Sequence, residues 1–210
     1  MKDATTWALI HREREAMADT LTTLTPAQWA QPSLCEGWTV QDAAGHIVAG
    51  AEQTKGAFAG RMVANGFRFN RMIDRDARRL GARPPQEIIG RLRARTSTTN
   101  GPPAPAVTSL GEVVVHGEDV RRPLGIVGTT APDALVACLD MYKTSSFPVG
   151  TKARIAGLRL TAADVGWTYG DGPEVTGDAA SLLLAMTGRR AGLDGLAGEG
   201  LGRLRARMAP

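Results

Sequence analysis

Two stretches of the chain decide its fold: Val40–Gly50, with the sequence VQDAAGHIVAG, and Leu110–Gly125, with the sequence LGEVVVHGEDVRRPLG. Both are typical of α-helices, and Glu112 and His116 lie four residues apart on the second. Side chains with that spacing project from one helix face and can share a ligand. Together with His46 they provide two imidazoles and a carboxylate. This set suits a divalent transition metal and leaves one coordination position open for chemistry.

Each of the three residues also has a structural interpretation. His46 shares its helix face with small and apolar residues and can be a hydrogen-bonded core histidine. Glu112 lies three residues after Ser109, which is the spacing of a capping box at a helix N-terminus. His116 can pack at an interface between helices. Spacing alone therefore leaves both the metal site and these structural roles open.

A polar stripe along the second helix favours the metal site. Ser109, Glu112, His116 and Asp119 follow one side, whereas apolar residues follow another. Polar groups on a helix that packs in a bundle need partners, because burying them unpaired is costly. Asp119 can orient a metal ligand by accepting a hydrogen bond from it. A solvated position near the helix end explains this residue equally well. The chain has three histidines, and the third, His11, is interpreted as an exposed residue.

Length and composition limit the class of protein. The 210 residues suffice for one large domain, or for one domain with a smaller appendage, and 43% are hydrophobic. Cys35 and Cys138 are too few for a disulfide framework, which suits a reducing compartment. No signal peptide or membrane span is predicted. We therefore expect a cytoplasmic protein without a membrane partner, and its oligomeric state stays open.

Helical periodicity and turn residues predict the order of elements. The segment 153–175 alternates and breaks at Gly-Asp-Gly, which predicts strands joined by a tight turn. Composition changes near residue 148, so we predict a metal-binding helical bundle over residues 1–147 and a small α+β domain over 148–210. The predicted helices cover about 5–24, a turn from 26, 39–63, 67–80, 85–95, the stretch carrying Glu112 and His116, 132–142 and 178–187.

The formal charge of +4 is unevenly distributed, with ten arginines between Arg61 and Arg95. Four of them follow helical spacing and form a stripe: Arg68, Arg71, Arg75 and Arg78. A solvated helix face is the favoured interpretation. A site for an anionic small molecule comes second, because guanidinium groups bind carboxylates well. Nucleic-acid binding is disfavoured, since no aromatic residues interleave with the basic ones.

The chain resembles a known family over most of its length. The pair of segments LTPAQWAQPSLCEGWTVQDAAGHIVAG and GEVVVHGEDVRRPLG is similar to the mycothiol-dependent maleylpyruvate isomerase family of the DinB-like superfamily. The segment GLRLTAADVGWTYGDGPEVTGDAASLLLAMTGR resembles that family's small second domain. The resemblance implies a mainly α fold, a DinB-like four-helix bundle with a small C-terminal α+β domain. It also implies that His46, Glu112 and His116 bind a metal, usually zinc, although nickel, iron and cobalt also suit this set.

The favoured function is that of a mycothiol-dependent metalloenzyme, an isomerase or a thiol S-transferase, acting on a small electrophilic substrate. Arginines of the basic segment, or Arg14, are candidates for binding substrate carboxylates. Two alternatives stay open: a metal-dependent hydrolase that uses bound water, and a non-catalytic metal-binding or stress-response module. Cys35, in a loop before a helix, is a candidate nucleophile. We interpret it as structural, because the resemblance implies an external thiol.

Overall fold

The computed structural model describes residues 3–127, 130–146 and 149–208, which divide into two compact units, residues 1–129 and 130–210. The fold is mainly α with a four-stranded sheet in the second unit, as the sequence predicts. The predicted boundary between residues 147 and 148 lies outside the described residues. The observed division comes earlier along the chain than the change in composition. Within the described ranges, no helix is both long and apolar enough to cross a membrane.

The described part of the first unit has seven helices. Helix α7 packs against α1 and α3, and α3 packs against α5 and α6. Helix α6 also contacts α1, so the long helices surround a common core. Their bounds are α1 Asp3–Thr22, α2 Pro26–Trp29, α3 Val40–Glu52, α4 Lys55–Ala64, α5 Phe69–Gly81, α6 Pro85–Arg93 and α7 Ala106–Arg121, and a 3-10 turn, Arg122–Leu124, follows α7.

The start of α3 is set by a capping box, at the position where the sequence predicts a helix to begin. The Thr39 side chain accepts a hydrogen bond from the Asp42 backbone N–H, and the Asp42 carboxylate accepts from the Thr39 backbone N–H. The prediction that this helix continues to residue 63 is wrong. Gln53 is extended, and the Thr54 side chain caps a separate helix, α4, by accepting from the Ala57 backbone N–H.

Helices α3 and α5 approach each other at two glycines. A Cβ atom on Gly45 would lie 2.5 Å from the Gly81 backbone nitrogen and 2.7 Å from the Ala77 carbonyl oxygen. Only glycine permits helix backbones to pack this closely. Because Gly45 precedes His46, this contact also fixes the helical turn that carries the first candidate ligand.

The second unit combines helices with a four-stranded sheet in the order β2-β1-β3-β4. Strand β1 pairs antiparallel with β2 and parallel with β3, and β3 pairs antiparallel with β4. Helix α8 packs against α10, which explains why the second unit starts before the change in composition. The bounds are α8 Pro132–Tyr142, α9 Thr151–Ile155, β1 Arg159–Ala162, β2 Trp167–Tyr169, β3 Glu174–Gly177, α10 Ala179–Met186, β4 Leu196–Ala197 and α11 Leu201–Ala206.

The strands differ from the prediction in two respects. Residues 153–155 belong to α9 rather than to a strand. The turn at Gly170–Gly172 does not close a hairpin, because β1 lies between β2 and β3. Gly170 and Gly172 have positive φ angles and would each place a Cβ atom against the backbone next to β1. The glycines thus let the chain pass close to β1 on its way from one side of that strand to the other.

Candidate metal centre

The structure brings His46, Glu112 and His116 together. The Nε2 atom of His46 lies 2.7 Å from Oε2 of Glu112, and Nε2 of His116 lies 3.6 Å from the same oxygen. The two imidazole rings meet edge to face, with centroids 4.3 Å apart. Helix α3 supplies His46 and α7 supplies the other two, and these helices pack directly against each other. The sequence prediction that these three residues are neighbours is therefore correct, although their role as ligands stays a prediction.

Helix α7 is buried on nearly all sides, and the site lies at its accessible part. Between Ser109 and Arg121, every residue is buried except Glu112 and His116, and the His116 side chain is only 14% exposed. The Glu112 side chain is 40% exposed, whereas His46 is 4% exposed. A small molecule can therefore reach the cluster from the Glu112 side. Because α7 begins at Ala106, Ser109 lies inside the helix, and the interpretation of Glu112 as half of a capping box is wrong.

The donor atoms fit a small divalent cation. Zinc holds nitrogen and oxygen ligands at about 2.0–2.1 Å in a tetrahedron, which separates neighbouring donors by roughly 3.3 Å. The two measured distances to Glu112 Oε2, 2.7 and 3.6 Å, lie on either side of that value. The three residues offer ligand atoms that all lie within 4.8 Å of one another.

A second layer of contacts holds His116. Its Nδ1 atom lies 2.8 Å from Oδ2 of Asp119, which is completely buried. The Cys35 thiol donates to the same oxygen at 3.0 Å, and its sulfur lies 3.5 Å from His116 Nδ1. Sequence reasoning proposed Asp119 as an orienting partner and missed the neighbourhood of Cys35. No sequence pattern indicates that Cys35 lies next to α7, because 81 residues separate it from His116 along the chain.

Trp38 forms a wall beside both imidazoles. Its ring centroid lies 5.3 Å from that of His46 and 6.2 Å from that of His116. The indole N–H donates to Asp74 at 2.9 Å, and Arg78 also donates to this carboxylate. The hydrogen bonds from Trp38 and Arg78 lower the pKa of Asp74. Helix α5 therefore positions the tryptophan that shields one side of the site.

Burial makes the neutral form of His116 the favoured one. Desolvation lowers its pKa below 6.5, and the nearby His46 lowers it further. The Asp119 and Glu112 carboxylates oppose this shift without reversing it. A neutral imidazole is the form that binds a metal. The electrostatic environment thus keeps this residue competent as a ligand below the pH at which a free histidine protonates.

The remaining histidine and Arg14 lie among carbonyl groups at one end of α6. The Nε2 atom of His11 is 3.2 Å from the Thr98 carbonyl oxygen, and Arg14 donates to the carbonyls of Arg95 and Thr98 at 3.1 and 2.9 Å. Burial lowers the pKa of Arg14 to about 10, which still leaves it charged at neutral pH. Arg14 therefore joins α1 to the end of α6, a structural role that competes with binding a substrate carboxylate.

Most arginines of the 61–95 segment form salt bridges with carboxylates of the first unit, as expected for a solvated helix face. Arg61 pairs with Asp76 at 2.8 Å, and Arg91 pairs with Glu52 at 2.8 Å. Further pairs involve Arg78, Arg79, Arg83 and Arg93. Within the described ranges, no carboxylate pairs with three exposed arginines of the predicted stripe: Arg68, Arg71 and Arg75.

Comparison with known proteins supports the family. Residues 10–101, less than half of the chain, match the model of the mycothiol maleylpyruvate isomerase N-terminal domain. Over these residues the chain is similar to that domain. The match includes His46 and ends before α7, so it says nothing of Glu112 or His116. The comparison with curated proteins gives no match. The family resemblance that the sequence suggests is thus confirmed.

Solved structures extend the similarity to nearly the whole chain. Two crystal structures of the mycothiol-dependent maleylpyruvate isomerase, one of them a histidine-to-alanine mutant, share 17% identity with this chain. Each comparison covers 95% of this chain and 93% of the other, with TM-scores of 0.67 for the mutant and 0.64 for the other structure. At this identity the likeness establishes the fold, and function has to be argued from the site itself.

Proposed function

We propose that this protein is a metalloenzyme that binds a divalent ion, with zinc expected, through His46, Glu112 and His116. We further propose that it acts on a small electrophilic substrate with mycothiol as cosubstrate, as an isomerase or a thiol S-transferase. The convergence of two imidazoles and a carboxylate on helices α3 and α7, open to solvent at Glu112, carries this proposal. The family match of residues 10–101 supports the choice of thiol.

The metal, when bound, would lower the pKa of a coordinated thiol and so supply thiolate at neutral pH. Asp119 accepts a hydrogen bond from Nδ1 of His116, which leaves the Nε2 lone pair directed toward the cluster. Trp38 excludes water from the side of the imidazoles that it covers. The partly exposed Glu112 marks the side from which the thiol and the substrate approach.

The proposed chemistry balances without a further reactant. The thiolate sulfur forms a C–S bond with an electron-poor double bond, whose electron pair moves to the activating group. Rotation about the resulting single bond is followed by cleavage of the C–S bond, and the electron pair restores the double bond in the other geometry. If a proton adds to the neighbouring carbon instead, the C–S bond remains and the net reaction is thiol addition.

A turnover screen tests this proposal. Purified protein is assayed against a panel of small electrophiles with and without mycothiol, alongside Glu112→Ala and, as a matched control, His11→Ala. We expect thiol-dependent turnover that Glu112→Ala abolishes and that His11→Ala retains. Hydrolysis of simple esters or amides without thiol would replace the proposal with a metal-dependent hydrolase. Metal binding without any turnover, and a Glu112→Ala effect on thermal stability alone, would identify a non-catalytic module.

A further inference from the structure

The buried carboxylate of Asp119 needs hydrogen-bond donors around it. Its side chain is completely buried, and a buried carboxylate is costly unless hydrogen bonds replace the lost water. One oxygen, Oδ2, receives both the Cys35 thiol, at 3.0 Å, and Nδ1 of His116, at 2.8 Å. The thiol and the imidazole are therefore not independent neighbours, because they share a single acceptor atom.

The loop that carries Cys35 is fixed to α7 at the same residue. The Leu34 backbone N–H donates to the Asp119 carbonyl oxygen at 3.1 Å. Within the loop, the Cys35 backbone N–H donates to the Ser33 hydroxyl at 3.2 Å, and the Trp38 backbone N–H donates to the Cys35 carbonyl at 3.1 Å. Two separate hydrogen bonds thus set the thiol against the carboxylate, one through the main chain and one through the side chain.

We infer that Cys35 is a positioning residue of the metal site, which holds the Asp119 carboxylate against Nδ1 of His116 and so directs Nε2 toward Glu112 and His46. This inference rests on the proposed metal site. The thiol donates one hydrogen bond to Oδ2, and the imidazole Nδ1–H donates a second. Ligating histidines typically have such a partner on the other ring nitrogen, and its removal lowers metal affinity by about 10- to 100-fold.

A different assignment uses the same atoms. Cys35, His116 and Asp119 offer sulfur, nitrogen and oxygen donors within 4.8 Å of one another, a spacing that a second metal ion would also require. We assign these atoms to hydrogen bonding, because Oδ2 of Asp119 is on a completely buried residue and already has the Cys35 thiol at 3.0 Å and His116 Nδ1 at 2.8 Å, whereas the other cluster is open to solvent at Glu112. The experiment includes an arm that separates the two assignments.

The first arm reads the histidine tautomers in metal-free protein. The chain has three histidines, so long-range ¹H–¹⁵N spectra can be assigned by single substitutions. We expect His116 in the Nδ1–H tautomer in the wild type and in Cys35→Ser, and a population shifted toward Nε2–H in Cys35→Ala and Asp119→Asn. The matched control is Cys138→Ala, which removes the other cysteine. This arm needs no metal, so it judges the inference even if the proposed metal site fails.

The second arm measures metal affinity by competition with a chromophoric chelator, using zinc as the probe. We expect Cys35→Ala and Asp119→Asn to lower affinity by about 10-fold or more, and Cys35→Ser and Cys138→Ala to remain near the wild type. Wild-type tautomer and affinity in Cys35→Ala would overturn the inference. It would also be overturned by two equivalents of zinc in the wild type against one in Cys35→Ser, or by a thiolate charge-transfer band in the cobalt-substituted protein.

Discussion

The two imidazoles of the site are held in different ways. His116 is fixed by side-chain hydrogen bonding, since its Nδ1 faces the buried Asp119 carboxylate. The Nδ1 atom of His46 is buried and has no hydrogen-bond partner among the described residues. Apart from the 2.7 Å contact of its Nε2 atom with Glu112, its position depends on backbone packing at Gly45 and on the Trp38 ring. One candidate ligand is thus oriented mainly by a side-chain hydrogen bond and the other mainly by packing. We therefore expect the two histidines to respond to different substitutions.

The largest expected effect is a loss of stability when a methyl group is added at the Gly45 contact, which positions His46. We expect Gly45→Ala to lower the free energy of unfolding by about 1–3 kcal/mol, because the added methyl group overlaps the α5 backbone. Gly50 lies on the same helix with open space around it. Gly50→Ala should therefore leave stability unchanged or raise it by about 0.5–1 kcal/mol. Denaturant unfolding measures both. A Gly45→Ala variant as stable as Gly50→Ala would show that packing does not position His46.

The His116 side should respond to pH. The pKa of His116 is lower in the folded protein than the 6.5 expected of a free histidine in the unfolded chain. At pH values between the folded and the unfolded pKa, the unfolded chain therefore binds more protons than the folded one. The stability that His116 contributes is thus present above about pH 6.5 and is lost as pH falls through this window. An NMR titration of metal-free protein should place the His116 midpoint below 6.5. A midpoint above that value would mean that Asp119 and Glu112 outweigh burial.

Substituting the tryptophan wall should have the smallest effect. Trp38→Phe removes an indole hydrogen bond to Asp74, and Trp167→Phe removes an equivalent bond to Asp140 in the other unit. We expect each to cost about 0.5–1.5 kcal/mol of stability. Only Trp38→Phe should change zinc affinity, and by less than Asp119→Asn does, since it alters packing rather than a hydrogen bond to a ligand. Equal zinc affinities in both variants would remove Trp38 from the site.

The sequence predicted which residues cluster better than it predicted what surrounds them. The spacing of Glu112 and His116 is a local property of one helix. His46 joined them as one of only three histidines in the chain, on a stretch that is also typical of a helix, and the family resemblance then strengthened the set. The position of Cys35 depends on how the loop 31–38 folds back onto α7, and no local pattern encodes that contact. Asp119 was recognised as a possible partner because it continues the same helical stripe.

The errors in the fold have the same origin. The helix starts near residues 26 and 39 were predicted because their signals, Pro26 and the pair Thr39 and Asp42, each lie within a few residues of sequence. The break between α3 and α4 was missed, although Thr54 carries a capping signal, because apolar residues continue on both sides of it. The order of the strands was missed because the pairing of β1 with β3 is set by tertiary contacts rather than by the turn between neighbouring strands.

Elemental analysis of purified protein tests the central claim, that His46, Glu112 and His116 bind a divalent metal, most directly. The wild type should hold close to one equivalent, and His116→Ala should lose it. The matched control is His11→Ala, which removes the one histidine that the site does not use and should keep the metal. Full occupancy in His116→Ala, or equal loss in His11→Ala, would contradict the account.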